Sequence, residues 1–518
     1  MRVASRAGSR RRAIPAIVTG TVFAVSLASA AVPEICDDES PRSAQHSRAP
    51  RAVEDYLSSL GHLTFDQRAA CALWASAFSE RNRRMAQNEA GGEPQPARFI
   101  LFPAGGRDIR QFAHWLADAA PVRDVEVAEK FVIATFSRRL VARRLRELLL
   151  ESPQIEYAEP DCDGPDFMTT SQEFALAELR PRCWQRSART TFPNDPCIDE
   201  LWGHSKIGWD STIAARSLPR LVAILDSGID ARHEDLASGV MISLRNREPR
   251  HSQGRRLNAR CATSGRCFPH GTEMAGTIGG RMDNGIGVAG VAPNSRLLPI
   301  VISRVEHGSL GRLSTIARGI EAAARGQADV INISAKWPVD SRAIAAAVSM
   351  AVGGEAATQR LIVTGYATAL DTDESVREYY PSLYRCLPGV VAAVPVDMRG
   401  RELSNPKGRP NANDGRIQAP GVDIVVTTTE NSERGYALSG AAGASSAAAY
   451  VSGAVALAWG SPPLDTCDAQ QIKELLFCRS KSSDSTRYPW INVDFLRELA
   501  NVEPGADCKV AMEKLGCD

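Results

Sequence analysis

Residues Arg220–Asp226 read RLVAILD, a continuous apolar run of strand length that ends in an acidic residue. A strand that is apolar on both faces is typical of a parallel sheet covered by helices on both sides. Five further runs of this kind follow, separated by segments with helical patterns: MISL (241–244), RLLPIVI (296–302), ADVINIS (328–334), RLIVTG (360–365) and GVVAAVPV (389–396). The alternation predicts an α/β domain with a parallel sheet over residues 193–460.

The first thirty residues have the layout of a secretory signal peptide. An arginine-rich start (Arg10–Arg12) is followed by an apolar run and by a small-x-small end at Ala28–Ala30, which predicts cleavage after Ala30. An uncleaved anchor is the alternative. We find no later segment with the pattern of a membrane span, so the mature chain is expected outside the cytoplasm, either extracellular or periplasmic.

Four more segments complete the expected organisation. A strand–helix–strand–helix–strand pattern predicts a small α+β unit ahead of the large domain. The segments are a helical extension with a linker (31–97), the α+β unit (98–162), a second linker (163–192) and a cysteine-containing tail (461–518). The formal charge of +1, from 61 basic and 60 acidic residues, gives no reason to expect a nucleic-acid partner.

The twelve cysteines all follow the predicted signal peptide. An even number in an exported chain favours disulfides, and no C-x-x-C pair or Cys/His cluster supports zinc. Three pairs are close enough in sequence to be candidates, although the connectivity stays open: Cys261 with Cys267, Cys467 with Cys478, and Cys508 with Cys517.

A second informative stretch is GASSAAAYVSGAVALAW, Gly443–Trp459, which contains no charge. A membrane span, a core helix, and a core helix that carries a reactive serine are the three hypotheses. The stretch is too short and too rich in small residues for a span. A buried helix fits better, and Ser445 in its first turn would be either a cap or a nucleophile in the positive field of the helix N-terminus.

Asp226 and His270 are individually weak candidates. An aspartate at the end of a strand is usually part of a turn, and a histidine at a helix start is usually a satisfied polar group. Together with Ser445, however, they appear in the order Asp, His, Ser, which is one of the arrangements of the serine-protease triad. The combination is specific although its members are not.

At this point the chain resembles the subtilisin-like serine peptidases, or subtilases. The matching blocks include VAILDSGID, HGTEMAGTIGG, GVAGVAPNSRLLPI, APGVDIV and GASSAAAYVSGAVAL. The resemblance implies that Ser445 is the nucleophile, His270 the general base and Asp226 the group that orients the imidazole. Ser446 stands where the family typically has Met. The α+β unit resembles the family's inhibitory propeptide, which implies self-processing around Asp161.

The chain also departs from the family pattern. The oxyanion-stabilising Asn is expected near LIVTGYATAL, where our alignment places Ala367, with Thr368 as the neighbouring alternative. The edge expected to bind substrate reads SAKWP, so Ser334, Ala335 and Lys336 are the candidate substrate-binding residues. Lys336 and Trp337 either narrow the pocket and favour acidic side chains, or both point to solvent.

The sequence thus predicts a secreted, self-inhibited serine endopeptidase that acts on protein or peptide substrates through an acyl-enzyme. A non-catalytic or weakly active binding or regulatory protein on the same scaffold is the alternative. The expected partners are substrates and the chain's own propeptide; no nucleic acid, no stable membrane insertion after signal cleavage and a monomer are expected. No cofactor is expected for catalysis, and the resemblance leaves a structural calcium ion open without assigned ligands.

Overall fold

The structure is a computed structural model of the chain. It describes residues 54–60, 66–76, 96–137, 142–163, 183, 186–236, 268–303, 311–337, 339–353, 359–366, 380–403, 415–428, 435–439, 443–480, 488–503 and 505–517. Several predicted features lie outside the described residues: the signal peptide, the strand MISL, Cys261 and Cys267, and the oxyanion candidates Ala367 and Thr368.

The N-terminal part is an α+β unit with a four-stranded antiparallel sheet, ordered β2-β3-β1-β4. A preceding helix lies beside its edge strand β4. The elements are α1 (Gln67–Ser76), β1 (Arg98–Pro103), α2 (Ile109–Ala119), β2 (Val122–Val127), β3 (Val132–Phe136), α3 (Ala142–Leu150) and β4 (Ile155–Pro160). The strand–helix pattern expected from the sequence is therefore present, with β2 as an additional edge strand.

The large unit is built on a six-stranded parallel sheet, ordered β10-β9-β8-β7-β5-β6. Two short strands form a separate antiparallel pair. The strands are β5 (Leu221–Asp226), β6 (Arg296–Val301), β7 (Val330–Ile333), β8 (Leu361–Gly365), β9 (Val390–Val396), β10 (Arg416–Pro420), β11 (Val425–Thr427) and β12 (Tyr436–Leu438). This is the parallel α/β sheet that the apolar runs predict.

Helices cover both faces of this sheet. The helices of the large unit are α4 (Trp202–Lys206), α5 (Ser211–Arg216), α6 (His270–Gly279), α7 (Leu313–Arg325), α8 (Arg342–Val352), α9 (Ala444–Trp459), α10 (Ala469–Cys478) and α11 (Cys508–Leu515). Along β5, Ala223 and Leu225 belong to the apolar cluster with α7 and α8, whereas Val222 and Ile224 belong to the cluster with α6 and α9. Successive strand residues point to opposite faces, which explains why the whole run is apolar.

Helix α9 is the uncharged stretch singled out in the sequence. Its residues from Ser446 to Trp459 are all buried, and it contacts strands β7, β8, β9 and β10 as well as α6. It is thus the central core helix. Within the part of the chain that the structure describes, no helix combines the length and the apolar character needed to cross a membrane.

Four disulfides join described cysteines: Cys71–Cys162, Cys183–Cys197, Cys467–Cys508 and Cys478–Cys517. The short-range candidates Cys467–Cys478 and Cys508–Cys517 are wrong. Each of these pairs brackets a helix, and a helix of 10 residues is about 15 Å long, well beyond the roughly 7 Å limit between bridged Cα atoms. The observed bridges instead join α10 to α11. Cys467–Cys508 links the starts of the two helices, and Cys478–Cys517 links their ends.

Two carboxylates of the N-terminal unit bind the starts of helices in the large unit. Asp161 accepts hydrogen bonds from the N–H and the hydroxyl of Ser314, in the first turn of α7. Glu159 accepts from the Ser341 hydroxyl at 2.7 Å and from the Arg342 N–H at 2.9 Å, at the start of α8. Both carboxyl groups accept hydrogen bonds from donors at a helix N-terminus, so the unit is fixed at two points.

Candidate active site

Asp226 and His270 form a pair at the carboxyl end of the parallel sheet, in which the carboxylate is buried and the imidazole is partly exposed. The Asp226 carboxylate is 1% exposed, ends β5 and lies 2.9 Å from the His270 Nδ1 through both of its oxygens. The Ser227 N–H also donates to it, at 2.6 Å. Carboxyl ends of parallel strands are where open α/β sheets place their sites.

The turn after Asp226 is what brings His270 so close. The Ser227 hydroxyl donates to the Phe268 carbonyl at 2.9 Å and accepts from the Gly271 N–H at 3.1 Å. A Cβ atom on Gly271 would lie 2.2 Å from the Gly228 carbonyl oxygen, so only glycine allows this approach. The motifs DSG and HG are therefore coupled by contact, although 44 residues separate Asp226 from His270.

Ser445 lies in the first turn of α9, whose N-cap is Gly443 without a side-chain cap. The Ser445 hydroxyl donates to the Ser334 carbonyl at 3.2 Å, and the Ser334 hydroxyl donates to the Ser445 carbonyl at 3.2 Å. Ser445 is partly exposed, whereas Ser446 is buried. Of the two adjacent serines, Ser445 is the accessible one.

A buried chain of hydrogen bonds supports the Ser445 backbone. The Ser452 hydroxyl donates to the Asn332 side-chain oxygen at 3.0 Å, and the Asn332 amide donates to the Ser334 hydroxyl at 2.9 Å. Sequence reasoning missed Asn332 and Ser452. The available signal was a polar residue in the middle of an otherwise apolar strand, since such a group needs a partner when buried.

The candidate oxyanion residues Ala367 and Thr368 lie outside the described residues. The strand that leads to them is described as far as Tyr366. A Cβ atom on Gly365 would lie 2.7 Å from the Ala444 carbonyl oxygen, so the end of β8 packs directly against the start of α9.

The described residues of the segment SAKWP differ in how deeply they are buried. Ala335 is buried, Lys336 is partly exposed, and Trp337 is completely buried. The backbone of Trp337 pairs with that of Tyr380 through two hydrogen bonds of 2.9 Å. The alternative in which both Lys336 and Trp337 point to solvent is therefore wrong for Trp337, whose ring belongs to the apolar cluster of α7 and α8.

Two further buried carboxylates, Asp195 and Asp235, lie outside this site, near the loop after α6. Burial raises the pKa of Asp195 to about 6 and that of Asp235 to about 7, and Asp195 contributes to the shift of Asp235. Asp235 accepts from the Val288 N–H and the Tyr436 hydroxyl. Among the described residues, no group of three or more His, Cys, Asp or Glu is placed to hold a metal ion.

Residues 220–487 match the family model described as the Subtilase family, which is more than half of the chain. The chain belongs to the subtilase family. The major intracellular serine protease of Bacillus subtilis is 34% identical over 237 residues, covering 46% of this chain and 67% of the relative. The subtilisin of Bacillus pumilus is 30% identical over 258 residues, covering 49% of this chain and 81% of the relative. The chain is accordingly a subtilisin-type serine endopeptidase.

Solved structures show the same fold. Fervidolysin from Fervidobacterium pennivorans, a keratinolytic enzyme related to subtilisin, superposes with a TM-score of 0.60 and 22% identity over 80% of this subtilase and 62% of that chain. The epidermin leader peptide processing serine protease of Staphylococcus aureus gives 0.56 at 16% identity, over 79% of this chain and 100% of that one. At these identities the likeness concerns the fold alone.

Proposed function

We propose that the chain is a secreted serine endopeptidase whose catalytic triad is Asp226, His270 and Ser445. The Nδ1 atom of His270 is held by Asp226, which leaves Nε2 to accept the Ser445 proton as the hydroxyl attacks the scissile carbonyl. The Ser445 proton is directed at the Ser334 carbonyl here, so the attack requires a rotation about its Cα–Cβ bond. His270 then returns the proton to the leaving amine, and Asp226 stabilises the imidazolium.

A backbone donor available to the developing oxyanion is the N–H of Ser445. The N–H of Ser445 lies in the first turn of α9, where backbone donors have no partner within the helix and the dipole favours negative charge. A side-chain donor is the open question, because Ala367 stands where we align the family's Asn. Ala367→Asn should raise turnover on a peptide with little change in KM, by up to about 10² to 10³. If Thr368→Ala abolishes activity instead, Thr368 is the donor.

The observation that carries the proposal is the Asp226–His270 pair at the carboxyl end of the sheet, with Asp226 Oδ2 2.9 Å from His270 Nδ1. The test is covalent labelling with a fluorophosphonate probe. Wild type should be labelled, Ser445→Ala should not, and the matched control Ser446→Ala should keep its labelling because that hydroxyl is buried. A wild-type chain that stays unlabelled after removal of the N-terminal unit would favour the non-catalytic alternative.

We further propose that the N-terminal α+β unit is an inhibitory propeptide. Its support is the contact of Glu159 and Asp161 with the starts of α8 and α7. Asp161 is 1% exposed and Cys162 is 6% exposed, so the bond between them is inaccessible in the folded chain. We therefore move the expected cut from around Asp161 to the C-terminal side of Asp163. Ser445→Ala should accumulate as the uncut precursor, and cutting of this purified variant would mean that another protease acts.

Specificity is proposed to involve the SAKWP segment. Its Ser334 carbonyl contacts Ser445, and the partly exposed Lys336 follows two residues later. If Lys336 lines the pocket, peptides with Asp or Glu before the scissile bond are cleaved faster, and Lys336→Glu reverses the preference. A cleavage profile that does not change would place Lys336 away from the pocket.

Export and calcium are the remaining proposals. The N-terminal signal pattern and the four disulfides among the described residues support secretion. Asp195 and Asp235 are the residues at which we test for a structural calcium ion, because a cation that prefers oxygen ligands would stabilise two buried carboxylates with raised pKa values. EDTA should lower the melting temperature of wild type and have little effect on Asp235→Asn. Equal effects on both chains would remove Asp235 from the site.

A further inference from the structure

The chain that leaves the N-terminal unit pairs with the backbone of the large unit through one β-bridge. After β4, the Cys162 carbonyl accepts a hydrogen bond of 3.0 Å from the Leu313 N–H. The next residue, Asp163, forms an antiparallel β-bridge with Arg312. Addition of an extended segment to an exposed backbone edge is a common mode of peptide recognition, in which main-chain bonds give affinity and side-chain contacts give selectivity.

This backbone edge, residues 311–313, is connected to the catalytic end of the sheet. The Gly311 N–H donates to the Ile302 carbonyl at 2.7 Å, and the Ile302 N–H donates to the Asp226 carbonyl at 2.9 Å. Two backbone hydrogen bonds therefore link the edge to the triad aspartate. A peptide that lies along 311–313 is positioned by the same element that positions Asp226.

The side-chain contact on this edge is an ion pair. The Arg312 Nε atom lies 3.3 Å from the Asp163 Oδ1 atom, and the two side chains are 27% and 37% exposed. The backbone hydrogen bond between Cys162 and Leu313 forms with any sequence, so it does not select a side chain in the bound strand. The guanidinium of Arg312 does select one, because it attracts a carboxylate and repels a cation.

We propose that Arg312 is a specificity-determining residue that favours Asp or Glu in the substrate at the position that Asp163 occupies in the uncut chain. The inference rests on the proposed protease function. Once the N-terminal unit is released, the 311–313 edge and the Arg312 side chain become available to a substrate strand. In the substrate, this position is separated from the scissile bond by the same number of residues that separates Asp163 from the cut in the precursor.

The expected effect is modest because the pair is partly solvated. Exposed ion pairs shift equilibria by about 1.5- to fivefold, and salt weakens them. We therefore expect about a two- to fivefold preference in kcat/KM for Asp over Asn at this position. Lys at the same position should be cleaved more slowly than Asn.

The experiment uses the self-processed enzyme. N-terminal sequencing of the mature chain gives the distance from Asp163 to the cut, and three peptides are then made that differ only at the equivalent position, with Asp, Asn or Lys. Wild type should show the two- to fivefold preference, Arg312→Gln should bring the Asp/Asn ratio near one, and Arg312→Glu should favour Lys. Arg296→Gln is the matched control, since this exposed arginine is at the opposite, amino end of β6.

The outcomes separate this inference from the proposed function. An enzyme that is labelled at Ser445 but shows the same Asp/Asn ratio in wild type and Arg312→Gln overturns the role of Arg312 alone. In 0.5 M salt the Debye length is about 4 Å, so an electrostatic preference should weaken. An Asp/Asn ratio of kcat/KM that stays unchanged in this salt overturns the electrostatic origin of the preference. A chain that is never labelled overturns the protease function and this inference with it.

Discussion

Glu159→Gln is expected to remove much of the pH dependence of the contact between β4 and α8. Burial raises the pKa of Glu159 from 4.5 to about 7, although Ser341 and the first N–H groups of α8 donate to the carboxylate and oppose the shift. The raised pKa means that the folded chain favours the protonated form. The stability that Glu159 contributes is therefore fully present below pH 4.5 and is lost as the pH rises through 7.

The magnitude follows from the size of the shift. A displacement of about 2.5 pH units, 7 minus 4.5, corresponds to about 3 kcal/mol in total. About 2–3 kcal/mol of this is expected between pH 5 and pH 8, which is roughly a 30- to 150-fold change in the opening equilibrium of the N-terminal unit. Glu321, in α7 and with its pKa also raised to about 7 by burial, adds a change of the same sign.

Hydrogen–deuterium exchange of the β1 and β4 amides measures this opening, in a Ser445→Ala background that is expected to remain uncut. After correction for the intrinsic pH dependence of exchange, the parent should open far more often at pH 8 than at pH 5. Glu159→Gln should show a much smaller change, and the exposed neighbour Glu156→Gln serves as the control. Identical pH profiles for the parent and Glu159→Gln would refute the raised pKa, and stronger protection at pH 8 would refute the sign.

Three further substitutions test the site and the contact. Asn332→Leu breaks the buried hydrogen-bond chain behind the nucleophile, so turnover should fall by about tenfold with little change in KM; an unchanged turnover would show that the chain is only structural. Gly271→Ala should reduce probe labelling by about 10², because the new methyl group displaces His270, whereas Gly279→Ala meets only the end of a leucine side chain and should keep its labelling. Arg98→Met leaves the buried Asp161 without its cation and should weaken the N-terminal unit by about 3–5 kcal/mol, measured by the exchange assay above; unchanged exchange would contradict this.

The sequence predicted the sheet well where strands are apolar on both faces. The described runs around β5, β6, β7, β8 and β9 are all strands for that reason. Strand β10 was missed because Arg416 and Gln418 interrupt its apolar pattern. The structure buries both: the Arg416 guanidinium lies over the rings of Tyr366 and Tyr488, and the Gln418 amide donates to Glu402. Such partners are distant in sequence and cannot be inferred from a local pattern.

Edge position explains why β2 was missed. Strand β2 has the sequence VRDVEV, and several of its residues are exposed at the edge of the N-terminal sheet. Its Glu126 faces the large unit and accepts from both Arg98 and Arg318. An edge strand with charged residues has little hydrophobic periodicity, so tertiary contacts rather than the local sequence determine it.

The part of the candidate site that lies in recognisable sequence motifs was predictable. The Asp226–His270 contact follows from the order and spacing of two glycine-containing motifs. The support behind Ser445 was not predictable, since Asn332 and Ser452 come from different elements and meet only in the fold. The disulfides of the tail could have been narrowed down from sequence, because a helix between two cysteines separates them too far for a bridge.

The position of a cut relative to the Cys71–Cys162 bridge decides whether this bridge joins the two pieces. Both cysteines precede Asp163, so after a cut beyond Asp163 this bridge lies wholly within the released unit. Two pieces with no bridge between them would separate permanently on dilution into a large volume, whereas a tether would keep them at a millimolar effective concentration however far the sample is diluted. Had the cut fallen between Asp161 and Cys162, the same bridge would have been that tether. On a non-reducing gel, the processed protein runs as one band if a disulfide joins its two pieces and as two bands if the N-terminal unit is free to dissociate.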